Sequence, residues 1–349
     1  MRLNRKHFSA AVLCALFLLL SVSCGTVSSS ETAAAEEPGN FEFSFASDNL
    51  VYLPESAFSE VWTYVVARNE KYLKASYPLT DVVYFGAEVD AYGSIVDIPR
   101  RKSLPQTNAR VHVSIACGSS GLTHFLLQPE SMARDSFFNA LIAMTDEYDG
   151  LNIDLEYVPL RDADNFLSLL RQLKEALGEK ILSVCVPART AENTTYNYGN
   201  IASIADRVFV MAYDEHWSGS APGPVASMQW CRDVAAYALK TIGAQKLIMG
   251  IPFYGRSWAD KATARALIAS TTDSIMKDND ITAVEREDGV PQFTYDTNVR
   301  ITVYFEDAYS LAVRMDRYRT SGVDKIGFWR LGQEDTSVWD YIRIKATAR

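Results

Sequence analysis

Two carboxylates and an amide occupy alternate positions in the segment 148–157, which reads YDGLNIDLEY. Asn152, Asp154 and Glu156 are separated by aliphatic residues, as in a β-strand whose successive side chains point to opposite faces. The three polar groups are therefore expected to share one face, with the aliphatic side chains packed on the other. A carboxylic acid held in this way can donate a proton to a leaving group, and a second carboxylate two residues away can assist it.

The close spacing of Asp154 and Glu156 favours acid–base chemistry. Like charges on one face push one carboxyl group toward its protonated form, which a general acid needs. The same pattern also fits an amphipathic edge strand with a wetted polar face. Aligned carboxylates can also bind Mg²⁺ or Ca²⁺, but the sequence offers neither a His pair nor matching acids on neighbouring strands. We therefore expect no metal and no cofactor.

The segment 149–156, DGLNIDLE, resembles the signature DGxDxDxE of family 18 glycoside hydrolases, the chitinase-like enzymes. Three further segments are similar to the same family and follow in its order: VFVMAYDEHW at 208–217, KLIMGIPFYGRSW at 246–258 and KIGFWRLGQED at 325–335. The asparagine in the signature, YFEDAYSL before the last strand and the FWRLG motif resemble the bacterial branch that includes spore-cortex-lytic and other cell-wall-associated members. The chain departs from the family at 114–118, where SIACG replaces the frequent SxGG.

The resemblance implies a retaining, substrate-assisted glycosidase that acts on β-1,4-linked N-acetylglucosamine-containing glycans such as chitin or peptidoglycan. Glu156 would protonate the leaving oxygen while the sugar's own acetamido carbonyl attacks the anomeric carbon. Asp154 would hold the acetamido N–H, and Tyr213 would bond the carbonyl oxygen. Asn152 would lie deeper in the barrel and orient Asp154 without adding a charge. The alternative is an inactive carbohydrate-binding relative, which the intact Asp154, Glu156 and Tyr213 disfavour.

Other candidate substrate-binding residues lie where further apolar strand segments end: Met211, Asp214, Tyr254, Arg256 and Trp329. Trp329 could form an apolar floor for a sugar ring, and Asp214 could be either a helix cap or a substrate ligand. Met211 could line the site or simply fill the barrel. Arg256 could bond a sugar hydroxyl or pair with a carboxylate, and these alternatives stay open in the sequence.

Eight short apolar segments alternate with helical patterns, which predicts βα units and a parallel sheet. Their number and length fit a (β/α)₈ TIM barrel, in which active sites lie at the carboxyl ends of the strands. The predicted strands cover residues 61–67, 82–89, 111–117, 150–156, 181–187, 208–213, 247–253 and 326–331. Each group of candidate site residues then lies at such an end.

The interval between residues 253 and 326 is too long for one connecting helix. It predicts a small α+β insertion between the seventh and eighth strands, at about 259–303, which begins with a helix over 261–277. A last barrel helix is expected over 306–320, with Asp307 as its N-terminal cap. The catalytic domain as a whole is predicted to span 41–349.

The amino-terminal segment 1–23 has the features of an export signal. Three basic residues precede an uninterrupted apolar run at 10–20, which is too short to span a bilayer and suits a signal peptide. Small residues then precede Cys24, as in a bacterial lipoprotein signal. We therefore expect a lipidated Cys24, a flexible tether over 24–40 and a protein anchored in the cell envelope outside the cytoplasm, or otherwise secreted.

Composition narrows the range of partners. The 349-residue chain carries 43 acidic and 34 basic residues, which argues against nucleic acid. Loss of the three basic residues in 1–23 would lower the net charge by three, from −9 to −12. The expected partners are a glycan that contains N-acetylglucosamine and a membrane reached through the lipid; we expect a monomer. Cys117, Cys185 and Cys231 are predicted to be buried free thiols that act as small hydrophobic groups.

The lipoprotein prediction concerns Cys24. The full-length protein should partition into the detergent phase, because an acyl-modified cysteine adds buried hydrocarbon, and Cys24→Ala should move it to the aqueous phase. Phase separation followed by mass spectrometry of the amino terminus measures both. An unmodified wild-type terminus in the aqueous phase would contradict lipidation.

Overall fold

Eight parallel strands close into a barrel in the computed structural model, which describes residues 53–192, 195–259 and 264–346. The strands, numbered along the chain, are β1 (Ser56–Phe58), β2 (Glu60–Val66), β3 (Asp81–Val89), β4 (Ile95–Val96), β5 (Arg110–Cys117), β6 (Gly150–Leu155), β7 (Ile181–Pro187), β8 (Arg207–Met211), β9 (Leu247–Pro252), β10 (Gly255–Ala259), β11 (Arg265–Leu267), β12 (Glu285–Glu287), β13 (Val290–Asp296), β14 (Arg300–Tyr304), β15 (Lys325–Trp329) and β16 (Ile342–Ile344). The barrel runs in the order β2, β3, β5, β6, β7, β8, β9 and β15, and a β15–β2 pairing closes it.

The α-helices pack around this barrel or belong to its insertion. They are α1 (Ser120–Leu127), α2 (Met132–Thr145), α3 (Ala163–Leu177), α4 (Tyr198–Ile204), α5 (Met228–Thr241), α6 (Ala269–Asp278) and α7 (Ala308–Thr320). The connections that follow β2 and β3, both fully described, contain only short 3₁₀ turns and the two-residue strand β4. Across the described ranges, every helix is too short or too polar to cross a lipid bilayer.

The predicted (β/α)₈ barrel is confirmed. Each predicted strand overlaps a barrel strand, and the ends differ by at most two residues. The reason is that a strand of a barrel has two buried faces, so its apolar run is nearly continuous and stops where the chain leaves the barrel. The predicted cap is also confirmed, because the Asp307 side chain accepts a hydrogen bond from the Ser310 amide at 2.8 Å.

The insertion is an antiparallel sheet of five strands, in the order β11, β10, β14, β13, β12, with α6 beside it. The helix predicted over 261–277 is wrong in its first part: residues 260–263 lie outside the described residues, Arg265–Leu267 is strand β11, and α6 begins only at Ala269. Pairing of β11 with β10 decides this, since Gly255 lies opposite Leu267. Backbone bonds to a neighbouring strand outweigh a weak local helix preference.

The barrel interior is filled mainly by large side chains. Trp62, Tyr64 and Phe209 belong to a buried cluster inside the barrel, and the aliphatic residues on the opposite strand faces pack outward against the helices. Two glycines make room for Phe209: a Cβ at Gly250 would lie 2.9 Å from its ring, and one at Gly327 only 2.3 Å. The interior is therefore closed beneath the carboxyl ends of the strands.

Charged residues close the amino-terminal end of the barrel. Asp81 is fully buried and accepts hydrogen bonds from Arg110 Nε at 2.8 Å and from a second Arg110 nitrogen at 2.9 Å; His112 Nε2 lies 2.8 Å from it. The His112 ring stacks on Trp62 at 4.5 Å between centroids. Burial alone would raise the pKa of Asp81, but the bonds with His112 and Arg110 outweigh it and hold the pKa below its ordinary 3.8.

Asp81→Asn should lower the free energy of unfolding by about 3 kcal/mol at neutral pH, because it removes one member of a buried charged pair. A lowered folded-state pKa stabilises the protein above the unfolded pKa, so this contribution should be lost in the wild type as the pH falls below about 4. Urea titrations at pH 7 and at about pH 2.5 measure both effects.

The exposed Asp296, which pairs with Arg300 on the surface, provides the control. Asp296→Asn should change stability by less than about 1 kcal/mol. Equal losses in the two variants would show that the Asp81 network does not stabilise the barrel.

Candidate active site

Strand β6 carries the acidic residues into the mouth of the barrel. Leu151, Ile153 and Leu155 are buried on its outer face, whereas Asn152 and Asp154 point inward and Glu156 follows at the carboxyl end. The Glu156 amide donates to the Cys117 carbonyl at 3.0 Å, so the residue stays tied to β5. The single polar face expected from the sequence is present, because the pairing with β5 and β7 on both sides keeps the two-residue alternation intact.

Asp154 and Glu156 are both held toward their protonated forms. Burial, and secondarily the charge of Glu156, raise the pKa of Asp154 to about 7, and hydrogen bonding with the Cys185 thiol opposes this shift. Burial and the nearby Asp214 raise the pKa of Glu156. Asp154 is only 7% exposed, and its Oδ1 atom has no hydrogen-bond partner in the described part of the chain. One of the two groups can therefore carry a proton near neutral pH.

Asn152 lies directly beneath this pair and is completely buried. Its carbonyl oxygen accepts bonds from Ser114 Oγ at 2.9 Å and from the Tyr64 hydroxyl at 3.2 Å. Its amide nitrogen donates to Ser183 Oγ at 2.9 Å, and Cys185 Sγ lies 3.6 Å from both the amide nitrogen and the carbonyl oxygen. These contacts use both lone pairs and both protons of the amide. Asn152 therefore joins four strands beneath the acidic residues without introducing a charge.

A second group of candidates follows β8 and β9. Asp214 Oδ1 accepts bonds from the Tyr254 hydroxyl at 2.6 Å and from an Arg256 guanidinium nitrogen at 2.7 Å. Of the alternatives that the sequence left open, Asp214 is not a helix cap. Arg256 pairs with a carboxylate, that of Asp214. The Asp214 side chain remains 42% exposed, so it can reach a ligand, whereas that of Arg256 is 5% exposed. Asp214 adopts a left-handed backbone, φ 61°, which turns the chain sharply after the strand.

Tyr213 lies inside the same mouth. Its ring contacts Tyr254 edge-to-face with centroids 6.2 Å apart. Burial, the Cys185 thiol, Tyr254 and Asp154 raise its pKa well above the ordinary value, so the hydroxyl keeps its proton and can donate it to an acceptor. Tyr213 packs against the buried cluster that contains Tyr64 and Cys185, and both of these contact Asn152 beneath the acidic residues. The candidates on β6 and those after β8 therefore form one site.

Aromatic rings form the floor of the mouth. Trp329, at the end of β15, lies edge-on to Tyr64 and to Phe85, with centroids 5.1 Å from each. Met211 also packs against the buried interior cluster and remains partly exposed. A partly exposed indole of this kind offers an apolar surface to a ring-shaped ligand.

Sequence reasoning missed the residues that support the site from beneath. Tyr64, Ser114, Ser183 and Cys185 all contact Asn152, but each lies on a different strand from it. Small polar residues inside predicted apolar strands were the only signal in the sequence. Cys185, predicted to be a small hydrophobic group, is buried and free, yet its sulfur lies 3.1 Å from the Tyr64 hydroxyl.

Metal-ligating side chains do not converge here. In the described ranges, no group of three or more His, Cys, Asp or Glu residues could hold a metal ion. The chemistry that the arrangement itself supports is proton transfer from Glu156 or Asp154, with Tyr213 as a further donor.

A model of a known protein family matches most of the chain. Residues 59–334 match the family model described as glycosyl hydrolases family 18. YdhD of Bacillus subtilis strain 168, assigned as a sporulation-specific glycosylase, is 32% identical over 228 residues, which are 61% of this chain and 54% of YdhD. The chain therefore spans about half the length of this curated relative.

Two solved structures show the same fold. The spore cortex-lytic enzyme SleL of Bacillus cereus has a TM-score of 0.75 at 21% identity, over 83% of this chain and 76% of SleL. A mutant family 18 chitinase of Cycas revoluta, solved with (GlcNAc)₄, has a TM-score of 0.63 at 19% identity, over 80% of this chain and 97% of the chitinase.

The raised pKa of Asp154 predicts a pH-dependent stability. An acid whose pKa is raised by folding destabilises the protein progressively as the pH rises from about 4 to about 7, since the charged form is then buried. Asp154→Asn should therefore increase the free energy of unfolding at pH 8 by about 2 to 4 kcal/mol and have a smaller effect at pH 5. Thermal and urea unfolding at both pH values provide the measurement.

Asp340→Asn, at an exposed carboxylate, should leave both values nearly unchanged. A loss of stability in Asp154→Asn at pH 8 would mean that the ionised carboxylate is well paired in the folded protein, contrary to its unpartnered Oδ1.

Proposed function

Since the chain belongs to the glycosyl hydrolases of family 18, as its motifs indicated, we propose that it is a retaining glycosidase that cleaves β-1,4-linked N-acetylglucosamine-containing glycans. The observation that carries the proposal is the Asp154–Glu156 pair, on one face of one strand, with both pKa values raised. A glycosidase whose two carboxyl groups act as acid and nucleophile needs them on opposite sides of the bond. Here both carboxylates reach the substrate from the same side.

The one-sided arrangement supports substrate assistance. Glu156 is the general acid, since burial and Asp214 raise its pKa and its side chain is less enclosed than that of Asp154. The bond from the leaving oxygen to the anomeric carbon breaks as Glu156 gives its proton to that oxygen. The carbonyl oxygen of the sugar's acetamido group forms the new bond and leaves an oxazolinium ion. Water, deprotonated by Glu156, then opens this ion and retains the configuration.

Asp154 and Tyr213 act on the acetamido group. The Asp154 carboxylate accepts a hydrogen bond from the acetamido N–H and stabilises the positive charge that develops on the oxazolinium ring. The Tyr213 hydroxyl, which keeps its proton, donates to the carbonyl oxygen and turns it toward the anomeric carbon. Trp329 supplies the floor beneath the sugar, and Asp214, with Tyr254 and Arg256 behind it, contacts the sugar from the side.

Two relatives support this substrate class. SleL is a spore cortex-lytic enzyme, and the Cycas revoluta chitinase was solved with an N-acetylglucosamine tetramer. The partner proposed for this chain is accordingly an N-acetylglucosamine oligomer or polymer, either chitin-like or from peptidoglycan. We also propose that Cys24, which lies outside the described residues together with segments 1–23 and 25–40, anchors the enzyme to the cell envelope through a lipid.

Replacing the acid tests the role of Glu156. Glu156→Gln keeps the shape of the side chain but cannot donate a proton, so hydrolysis of an N-acetylglucosamine oligomer should fall by about 10² to 10⁴. Steady-state kinetics on an aryl glycoside of such an oligomer measure the loss. Glu192→Gln, at an exposed carboxylate after β7, is the control and should retain activity. Activity within about threefold of wild type in Glu156→Gln would assign the acid to another residue.

Substrate assistance makes the acetamido group indispensable. A substrate with a free amine at that position should not react, because it has no carbonyl oxygen to attack the anomeric carbon. A thiazoline that mimics the oxazolinium ion should inhibit competitively, and the first product seen by NMR should keep the anomeric configuration. An inverted first product, or equal turnover of the deacetylated substrate, would rule the mechanism out.

A further inference from the structure

A buried ion pair joins the end of the insertion to the last barrel helix. Glu306 follows β14 and Arg314 lies in α7, and their side chains are only 1% and 0% exposed. Arg314 Nη2 donates to one Glu306 oxygen at 2.6 Å, and Ser310 Oγ donates to the other at 2.6 Å. Both carboxylate oxygens therefore have donors inside the protein.

Arg314 also binds the connection between β8 and α5, which carries Asp214. Its Nη1 atom donates to the Ala226 carbonyl at 2.6 Å and lies 3.1 Å from Cys231 Sγ. Ala226 lies at the end of the connection, and Cys231 lies near the start of α5. The guanidinium thus has acceptors on three segments: the exit of the insertion, the β8–α5 connection and α5.

The segment bound by this guanidinium holds the residues on both sides of Asp214. On one side, the Glu215 carboxylate accepts a hydrogen bond at 2.7 Å from the amide of Ser227, which directly follows the bound carbonyl. On the other side, the carbonyl oxygen of Ala212 lies 3.9 Å from Cys231 Sγ. The position of Asp214 therefore depends on the segment that the guanidinium binds.

The acid of the buried pair adjoins the strand that carries the partners of Asp214. In the insertion sheet, Arg256 of β10 lies opposite Tyr304 of β14, and Tyr304 lies two residues before Glu306. Tyr254 immediately precedes β10, and both Tyr254 and Arg256 donate to Asp214 Oδ1. The acid thus belongs to the sheet that supplies the two donors, whereas the guanidinium binds the connection that supplies their acceptor.

The number of donors on a guanidinium explains why an arginine suits this position. Burial of an ion pair does not by itself stabilise a fold, since the loss of hydration offsets the attraction. A guanidinium has five N–H donors in a rigid plane, so it can bind acceptors on several segments at once. Here it meets a carboxylate, a carbonyl and a thiol from three segments. This arrangement fixes the relative position of the segments.

We propose that Glu306 and Arg314 are positioning residues that act through Asp214. Their pair holds the β8–α5 connection in place relative to β10, so that Asp214 keeps both of its donors and presents its exposed carboxylate to the ligand. The role in catalysis rests on the proposed function, whereas the positioning of Asp214 does not.

Hydrogen exchange of the protein without ligand tests the positioning. Arg314→Lys keeps the positive charge, but a single ammonium group cannot reach all three acceptors together. Exchange of the backbone amides in 212–227, measured by mass spectrometry, should become at least about tenfold faster, because the connection opens more easily. The amides of β3, which lies across the barrel from β8, should change little.

Arg319→Lys is the matched control, because Arg319 lies on the same helix and pairs with Asp316 near the surface. It should leave exchange at 212–227 unchanged. Cys231→Ala is a milder variant, which keeps the ion pair but removes the thiol beside Arg314. It should accelerate exchange at 212–227 by about two- to fivefold.

Two results would overturn the proposal. The first is exchange at 212–227 that stays unchanged in Arg314→Lys. The second is an equal acceleration along the whole chain, which would show that the ion pair stabilises the fold in general and not this connection in particular. If Arg314→Lys does not fold, the same two criteria are applied to Cys231→Ala.

A double-mutant cycle connects the positioning to catalysis. On an aryl glycoside of an N-acetylglucosamine oligomer, Arg314→Lys should lower kcat/KM by about tenfold, as for the loss of one hydrogen bond to a charged group. In an Asp214→Asn background the same change should have little further effect, because Arg314 acts through Asp214.

The outcomes separate this proposal from the proposed function. Faster exchange at 212–227 in a protein that cleaves none of the glycans would support the positioning of Asp214 and refute the proposed function. Equal losses of kcat/KM from Arg314→Lys in both backgrounds, beside normal wild-type hydrolysis, would refute the positioning role alone.

Discussion

The burial of two carboxyl groups on one face of β6 is the constraint on which the rest of the site depends. A charge inside the barrel mouth is costly, and two like charges cost more, so at least one proton is retained. This is what supplies a general acid near neutral pH. It also requires every other polar group in the mouth to be either neutral or paired. Asn152 and Tyr213 are neutral, and Asp214 is paired with Arg256.

The charged groups at the two ends of the barrel have different roles, one in stability and the other in chemistry. At the amino-terminal end, Asp81, Arg110 and His112 are closely paired, and the pKa of Asp81 is lowered. At the carboxyl end, the pKa of Asp154 is raised to about 7, and its Oδ1 atom has no hydrogen-bond partner among the described residues. The ion-paired groups at the amino-terminal end stabilise the folded protein. The buried carboxyl groups at the carboxyl end destabilise it, and their raised pKa values allow proton transfer. Between them, large rings and the Asn152 network keep the interior closed.

Most of the fold could be predicted, because its signals are local. Apolar runs of strand length, separated by helical patterns, gave all eight barrel strands to within two residues at each end. The first part of the insertion between β9 and β15 was predicted less well. Residues 265–267 form an edge strand rather than a helix, since pairing with β10 is a contact that local pattern does not contain. The left-handed turn at Asp214, and with it the pairing to Tyr254 and Arg256, was likewise decided by the neighbouring strands.

The sequence by itself determined which side chains share a face: the two-residue period places Asn152, Asp154 and Glu156 in one line. It could not determine what surrounds them. Tyr64, Ser114 and Cys185 come from strands up to 121 residues apart and meet only because the barrel fixes their relative register. The two-residue period predicts the face on which a side chain lies. Which residue of the next strand lies beside it depends on the register, which backbone pairing along the whole sheet determines. That is why the amide and the two carboxyl groups could be found from the sequence, whereas the hydroxyl and thiol groups that contact Asn152 were identified only in the closed barrel.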